Sequence, residues 1–355
     1  MTSAPGRYLT DLLTQIDGTF AVDDVRTLAL GLGIDYENLP GRTRAELIRE
    51  LLRRLAAEQR LPELLAALRE ARPRAQWPDP PADFHLVAHD PFGEKSFTRL
   101  PYEPETVFIP AGPFLMGSDA GNPEEAPRHS VTLPAFAIGL HPVTNEQYAR
   151  CLWDSGRVAS PALLWDGNTP PAGRLNHPVA GVTWYEALEY CRWLTQATGR
   201  AYSLPTEAQW EKAARGPDGR LYPWGDTWAT GRCHTAGPDL VAVDAFPPQT
   251  PYGGYDMVGN AREWTLTCWG GDPRAPDPAF AYPWRDDRRN NPDEPSTTRR
   301  VFRGGRSAGV SPAAAAPTRP DQERGCRCTA RGGFLPDKPG PASNRHGLRV
   351  VLSLT

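Results

Sequence analysis

The hydrophobic positions change their rhythm once along the chain. Up to about residue 72 they recur at helical spacing. Leu9, Leu12, Leu13 and Ile16 share one face of a helix near Tyr8–Ile16, and a second helix covers roughly Val22–Leu32. Leu47, Leu51, Leu52 and Leu55 repeat through RAELIRELLRRLAAEQ, which Thr43 can cap, and a fourth helix spans about Leu61–Ala71. Four short amphipathic helices predict a small all-α bundle over residues 1–72. The prolines of RPRAQWPDPPADFH then predict a semi-rigid, solvated linker over residues 73–104. From residue 105 to 355 short apolar segments are broken by Gly, Pro and Asn. Three helices stand out there: TNEQYARCLWDSG with Thr144 as cap, TWYEALEYCRWLTQATG ending at Gly199, and TEAQWEKAARG from Thr206 to Gly216.

Composition sharpens this division. With 39 Pro and 33 Gly in 355 residues, much of the second region must be irregular. Nine of the 11 tryptophans lie between Trp153 and Trp269, which places the main core there. GDPRAPDPAFAYPWRDDRRNNPDEPSTTRR and SAGVSPAAAAPTRPDQERG read as surface insertions without regular structure. In LPTEAQWEKAARG the helical period puts Trp210 on a buried face, with Glu207 and Lys212 nearer solvent.

A net charge of -3 and a pI near 6.2 argue against a nucleic-acid partner. No apolar run is long enough to cross a bilayer, so no membrane partner is expected. The opening MTSAPGRYLTDLLTQ lacks the features of a signal peptide, which predicts a cytoplasmic protein. In that reducing compartment most of the six cysteines should be free thiols. Cys326 and Cys328 alone do not make a zinc site. The histidines show no cluster beyond His85 and His89, and His129, His141 and His177 read as structural. No nucleophile-elbow motif marks a Ser-His-Asp triad.

The series FIPAGPFLMGS, HPVTNEQYA, HPVAGVTWYEALEYCRWL, YSLPTEAQWEKAARG, YPWGD, YGGYDMVGNAREWT, FRGG and NRHGLRVV closely resembles the formylglycine-generating enzyme, or sulfatase-modifying factor, family from about Val107 to Leu352. The resemblance implies an α+β fold, the formylglycine-generating-enzyme variant of the C-type-lectin-like fold, with much irregular structure. It implies a structural Ca²⁺ held by the carboxylates of Asp256 and Glu263 and the carbonyls of Gly259 and Ala261, a mixture that suits a hard cation. A second family calcium site matches Asp244 and the carbonyl of Phe246, but its asparagine position holds His234, a poor calcium ligand.

Active members of the family carry two copper-binding, oxidising cysteines after the RGG motif, at C-x-x-x-x-C spacing. Aligned through RCTAR, those positions fall at Thr318 and Glu323, and Cys328 matches a later, non-catalytic cysteine. Neither residue supplies the thiolate that copper(I) prefers, so no copper and no catalytic residue are expected. The family's Ser-Trp after RGG is here Arg306-Ser307.

What remains is a pocket face built from C-terminal loops, with Arg303, Arg306, Ser307, Arg324, Arg327, Arg331, Phe334, Asp337, Asn344 and His346 as candidate ligand-binding residues. This arrangement resembles the variable proteins of diversity-generating retroelements, which diversify a C-terminal segment to bind ligands. The stretch from RTLALGLGIDYENLPGRTR to LPELLAALREARP is similar to effector-associated, death-like domains, which implies an effector partner bearing a matching domain. The expected function is ligand binding coupled to an effector. The competing class is a formylglycine-generating or related metal-dependent oxygenase.

Overall fold

The computed structural model describes residues 4–34, 44–57, 60–79, 100–235, 239–304, 319–339 and 346–354. The chain divides into two compact units, residues 1–98 and 99–355.

The first unit holds α1 (Ala4–Thr19), α2 (Val22–Gly31), α3 (Arg44–Ala57) and α4 (Leu61–Ala71). Leu9, Leu12 and Ile16 of α1 bury with Leu51, Leu52 and Leu55 of α3 and with Leu64 and Leu68 of α4. Thr43, the expected cap of α3, lies outside the described residues. The start of the proline-rich segment differs from a solvated linker. Trp77 is buried with its ring 6.0 Å from that of Phe20, and the Tyr8 hydroxyl donates to the Pro78 carbonyl at 3.0 Å. Burying an indole outweighs the tendency of the flanking prolines to stay solvated.

In the second unit α5 (Asn145–Ser155), α6 (Trp184–Thr198) and α7 (Glu207–Arg215) each begin at a threonine cap. Thr144, Thr183 and Thr206 accept from the backbone N–H of Gln147, Glu186 and Gln209, whose side chains reach back to the cap. α5 and α6 end on left-handed Gly156 and Gly199, where an L side chain would be strained.

One four-stranded sheet runs in the order β1 (Thr106–Ile109), β4 (Phe136–Gly139), β10 (Val351–Ser353), β5 (Tyr202–Ser203). β2 (Gly112–Met116) and β3 (His129–Leu133) form a separate ribbon. The other four-stranded sheet has the order β8 (Gly332–Phe334), β7 (Arg299–Arg303), β6 (Arg262–Gly270), β9 (His346–Gly347). β6 supplies the buried Trp264 and Trp269, and the Trp264 indole donates to the Val182 carbonyl at 3.0 Å. α8 (Arg319–Gly325) is helical, in a stretch expected to be irregular.

The charged segment after Gly270 is not a loose insertion either. Phe280, Tyr282, Trp284 and Arg289 are buried, and His129 accepts from the Trp284 N–H at 2.8 Å. Its aromatic residues carry it into the core, against the message of its prolines and charges. Among the described residues no helix is long and apolar enough to cross a membrane.

Candidate ligand-binding face

The C-terminal third of the second unit is anchored from beneath by charge. Glu207 and Glu211 are four residues apart on α7 and so share one face, and both are wholly buried. Arg303, from the end of β7, reaches Glu207 at 3.0 Å and Glu211 at 2.7 Å, and it also donates to the Cys328 carbonyl. Arg331 forks onto both oxygens of Glu207 at 2.7 Å each and lies over the Tyr282 ring at 4.1 Å. Glu211 also takes Arg215 at 3.1 Å and the Gly117 N–H at 2.8 Å. Burial opposes the charge of Arg303, but Glu211, Tyr282 and Glu207 outweigh it and push its pKa up. Thr329 donates to buried Glu125, which extends the network.

These contacts correct the sequence reading at four residues. Glu207 and Lys212 do not face solvent. Glu207 pairs with two arginines, while Lys212 gives its ammonium protons to the Pro110 and Gly112 carbonyls at 2.6 and 2.9 Å. Burial pushes the Lys212 pKa down to about 8. Arg303 and Arg331 are not on a ligand face, because both guanidiniums are consumed by buried carboxylates.

His346 is a third exception to the ligand list. It is wholly buried, with ring centroids of Trp264, Phe302 and Phe334 at 4.4, 4.9 and 5.0 Å. Among the described residues neither of its ring nitrogens has a hydrogen-bond partner. Burial and the nearby Arg262 hold its pKa well below the usual range, so it is a neutral packing element. Of the other candidates, Arg324 and Asp337 are exposed, and Arg327 and Phe334 are half-buried. Arg306, Ser307 and Asn344 lie outside the described residues. Thr318 does too, whereas Glu323 sits on α8.

The calcium set is mixed. Asp256 is buried in a left-handed conformation, φ 48°, and accepts from the Asn260 amide at 2.7 Å. Burial pushes its pKa up to about 7, against the pull of Asn260 and Arg349. A buried acid of this kind fits a cation. Glu263 does not fit: Arg349 donates to its two oxygens at 2.8 to 3.1 Å and the Trp210 indole adds a bond at 2.7 Å. Its lone-pair positions are taken. Gly259 and Ala261 follow Asp256 on the same buried turn. In the second set Asp244 is exposed and accepts from the Asn176 amide at 3.0 Å, a neighbour 68 residues away that spacing could not disclose. Phe246 lies 6.3 Å from the His234 ring, which turns toward the Asp239 carbonyl. Among the described residues no three His, Cys, Asp or Glu side chains converge on one point as metal ligands would.

A cavity of 380 Å³ is lined by Tyr102, Glu105, His141, Glu146, Arg150 and Asp244, and among the described residues none after Asp244 lines it. His141 Nδ1 bonds the Val243 carbonyl at 3.1 Å, and burial with nearby Arg349 pushes its pKa down to about 4.

Residues 94–354 match the sulfatase-modifying factor enzyme 1-like domain, and residues 12–73 match effector-associated domain 7. The serine/threonine-protein kinase pkn1 of Chlamydia pneumoniae is 39% identical over 182 residues, 47% of this chain and 28% of the kinase. The chain therefore spans little more than a quarter of that relative's length. The inactive C-alpha-formylglycine-generating enzyme 2 of Mus musculus is 32% identical over 47% of this chain and 70% of its own length. The formylglycine-generating enzyme of Mycobacterium tuberculosis is 33% identical over 46% of this chain and 74% of its own. Two solved structures share the fold. PvdO from Pseudomonas aeruginosa has a TM-score of 0.53 at 24% identity, covering 72% of this chain and 96% of PvdO. Treponema denticola variable protein 1 has a TM-score of 0.52 at 20% identity, covering 73% and 97%.

Proposed function

The chain belongs to the sulfatase-modifying factor enzyme family, and on that premise we propose that it is a non-catalytic, cytoplasmic ligand-binding protein. Its C-terminal loops bind the ligand, and its effector-associated domain recruits an effector protein with a matching domain. In this reading residues 1–72 are the recruiting domain, 73–104 the connection and 105–355 the binding domain. The observation that carries it is the placement of the thiols. All six cysteines are buried, and none occupies position 318 or 323, where the family's oxidising pair belongs. An inactive relative is about as similar to this chain as an active one, so membership of the family does not by itself require the oxidising activity.

The ligand face takes in Arg324, Arg327, Phe334 and Asp337, raised on the buried Glu207–Arg303–Arg331 network, and the sequence adds Arg306, Ser307 and Asn344 as candidates. Arginine and aromatic groups over a rigid base are common anchors for a binding partner. We assign the segment to the diversified kind found in variable proteins, and we retain one Ca²⁺ at the Asp256 turn, with the Gly259 and Ala261 carbonyls, as a structural ion.

The deciding experiment incubates the purified chain with copper, oxygen and a cysteine peptide, and follows the peptide by mass spectrometry. The peptide should emerge unchanged. An aldehyde product would establish the oxygenase reading instead. Sequencing the 3′ end of the gene across a population tests diversification: substitutions should concentrate at codons of exposed positions and spare those of Arg303, Arg331 and Arg349.

A further inference from the structure

Two of the six thiols are neighbours across the fold. The sulfurs of Cys233 and Cys326 lie 4.0 Å apart, although the residues are separated by 93 positions. Both are buried in the same apolar cluster. Cys326 directly follows α8 and opens the stretch that leads through Thr329 and Arg331 into β8. Cys233 precedes His234, whose carbonyl accepts from the Asn260 N–H at 2.9 Å, so it is tied to the Asp256 turn. Cys328 belongs to the same buried cluster, but its charged neighbours include Arg215, Glu211 and Arg303.

We propose that Cys233 and Cys326 are a redox site, closing to a disulfide that clamps the start of the C-terminal segment to the body of its domain. A disulfide needs sulfurs about 2 Å apart, so the pair must close by about 2 Å. Its use as a clamp on a ligand-bearing segment rests on the reading above, but the bond itself does not. The oxidant is a low-molecular-weight disulfide such as oxidised glutathione. The Cys233 thiolate attacks one glutathione sulfur and releases the first glutathione thiolate. The Cys326 thiolate then attacks Cys233 in the mixed disulfide and releases the second. Two electrons pass from the protein to the oxidant, and the two thiol protons end on two molecules of glutathione.

In the closed fold the reaction is held back. The hydrogen bond to Cys233 and burial push the Cys326 pKa well up, and the thiolate is the reactive form. Exchange therefore requires the end of α8 to open, which makes the site slow to respond.

The test treats the full-length protein with oxidised glutathione, blocks remaining thiols under denaturing conditions and maps peptides without reduction. The expected result is a mass loss of two hydrogens, about 2 Da, with the Cys233 peptide joined to the Cys326 peptide, reversed by dithiothreitol. Hydrogen exchange over Arg319–Phe334 should slow in the oxidised form. Cys233→Ser should abolish the crosslink and leave Cys326 as a mixed disulfide or free thiol. An unchanged mass, a link from Cys326 to Cys328 instead, or glutathione adducts on the native chain without a crosslink would each overturn the proposal. The map is read on the native chain, so it stands even if Cys233→Ser does not fold. The peptide-oxidation assay is independent of this result, so either reading can fail alone.

Discussion

Arg303 is the residue whose role separates an anchor from a contact, and replacing it with methionine tests that role. The substitution keeps side-chain bulk but removes the charge facing Glu207 and Glu211. Taking one partner out of a buried ion pair costs about 3–5 kcal/mol, because the remaining charge is stranded. Here Glu207 keeps the fork of Arg331, and Glu211 keeps Arg215 and the Gly117 N–H. The loss should therefore fall near the lower end, about 3 kcal/mol. A unit of this size has roughly 5–15 kcal/mol of stability, so Arg303→Met should still fold. Urea unfolding followed by tryptophan fluorescence reports the second unit, since every tryptophan but Trp77 lies there. The midpoint should drop by about 1 M or more with the slope unchanged. Arg324→Ala, at an exposed position, should stay within about 0.5 kcal/mol of the starting protein. Adding Glu211→Gln to Arg303→Met should cost less than the sum of the two single changes, since the two groups share an interaction. A midpoint within error of the parent for Arg303→Met, or strict additivity with Glu211→Gln, would refute the anchor and return Arg303 to the ligand face.

Two further outcomes follow from buried titrating groups. His346 folds neutral with a depressed pKa, so its contribution is whole above the unfolded histidine value of 6.5 and is lost as pH falls below it; His346→Leu should match or exceed the parent in stability and flatten that acid limb in thermal melts between pH 7 and 5. Asp256 has the opposite sign: its raised pKa gives stability that is present at low pH and lost as pH rises from 3.8 through about 7. A cation that selects the ionised carboxylate reverses that loss, so Ca²⁺ at one hundred times its Kd should raise the melting temperature by about 5–10 °C at pH 8, and by less at pH 6. Asp256→Asn should remove the calcium shift, and a shift retained in that variant would place the ion elsewhere.

The elements that were legible in the sequence are those specified locally. Thr144, Thr183 and Thr206 stand three residues before Gln147, Glu186 and Gln209, and glycine marks the far end of each helix, so each boundary could be read from its own neighbourhood. The anchoring network was not legible. Glu207 meets Arg331 across 124 positions and Arg303 across 96, and the helical period of α7 offers no sign that its charged side chains turn inward. Residue type misled for a physical reason: carboxylates and guanidiniums are normally solvated, and only a partner supplied from far along the chain makes their burial tolerable. Phe280, Tyr282 and Trp284 show the converse, since their aromatic surface decides the path of a segment whose prolines and charges suggested solvent.

The alternation of buried and open positions after α8 has a consequence for how such a segment can change. Cys326, Cys328, Thr329 and Arg331 point inward, while Arg324 is open and Arg327 and Ala330 are half-covered. Inward and outward positions interleave at intervals of one or two residues. Replacing an outward residue leaves every anchor in register. Inserting or deleting one moves all later anchors out of their sockets, so Arg331 would lose Glu207: a deletion would bring Phe334 to the place of Gly333, where an added Cβ would lie 2.1 Å from the Trp269 ring, and an insertion would bring Arg331 to the place of Gly332, where an added Cβ would lie 2.5 Å from the Phe302 ring. The segment can be respelled letter by letter, but its length is not free to drift.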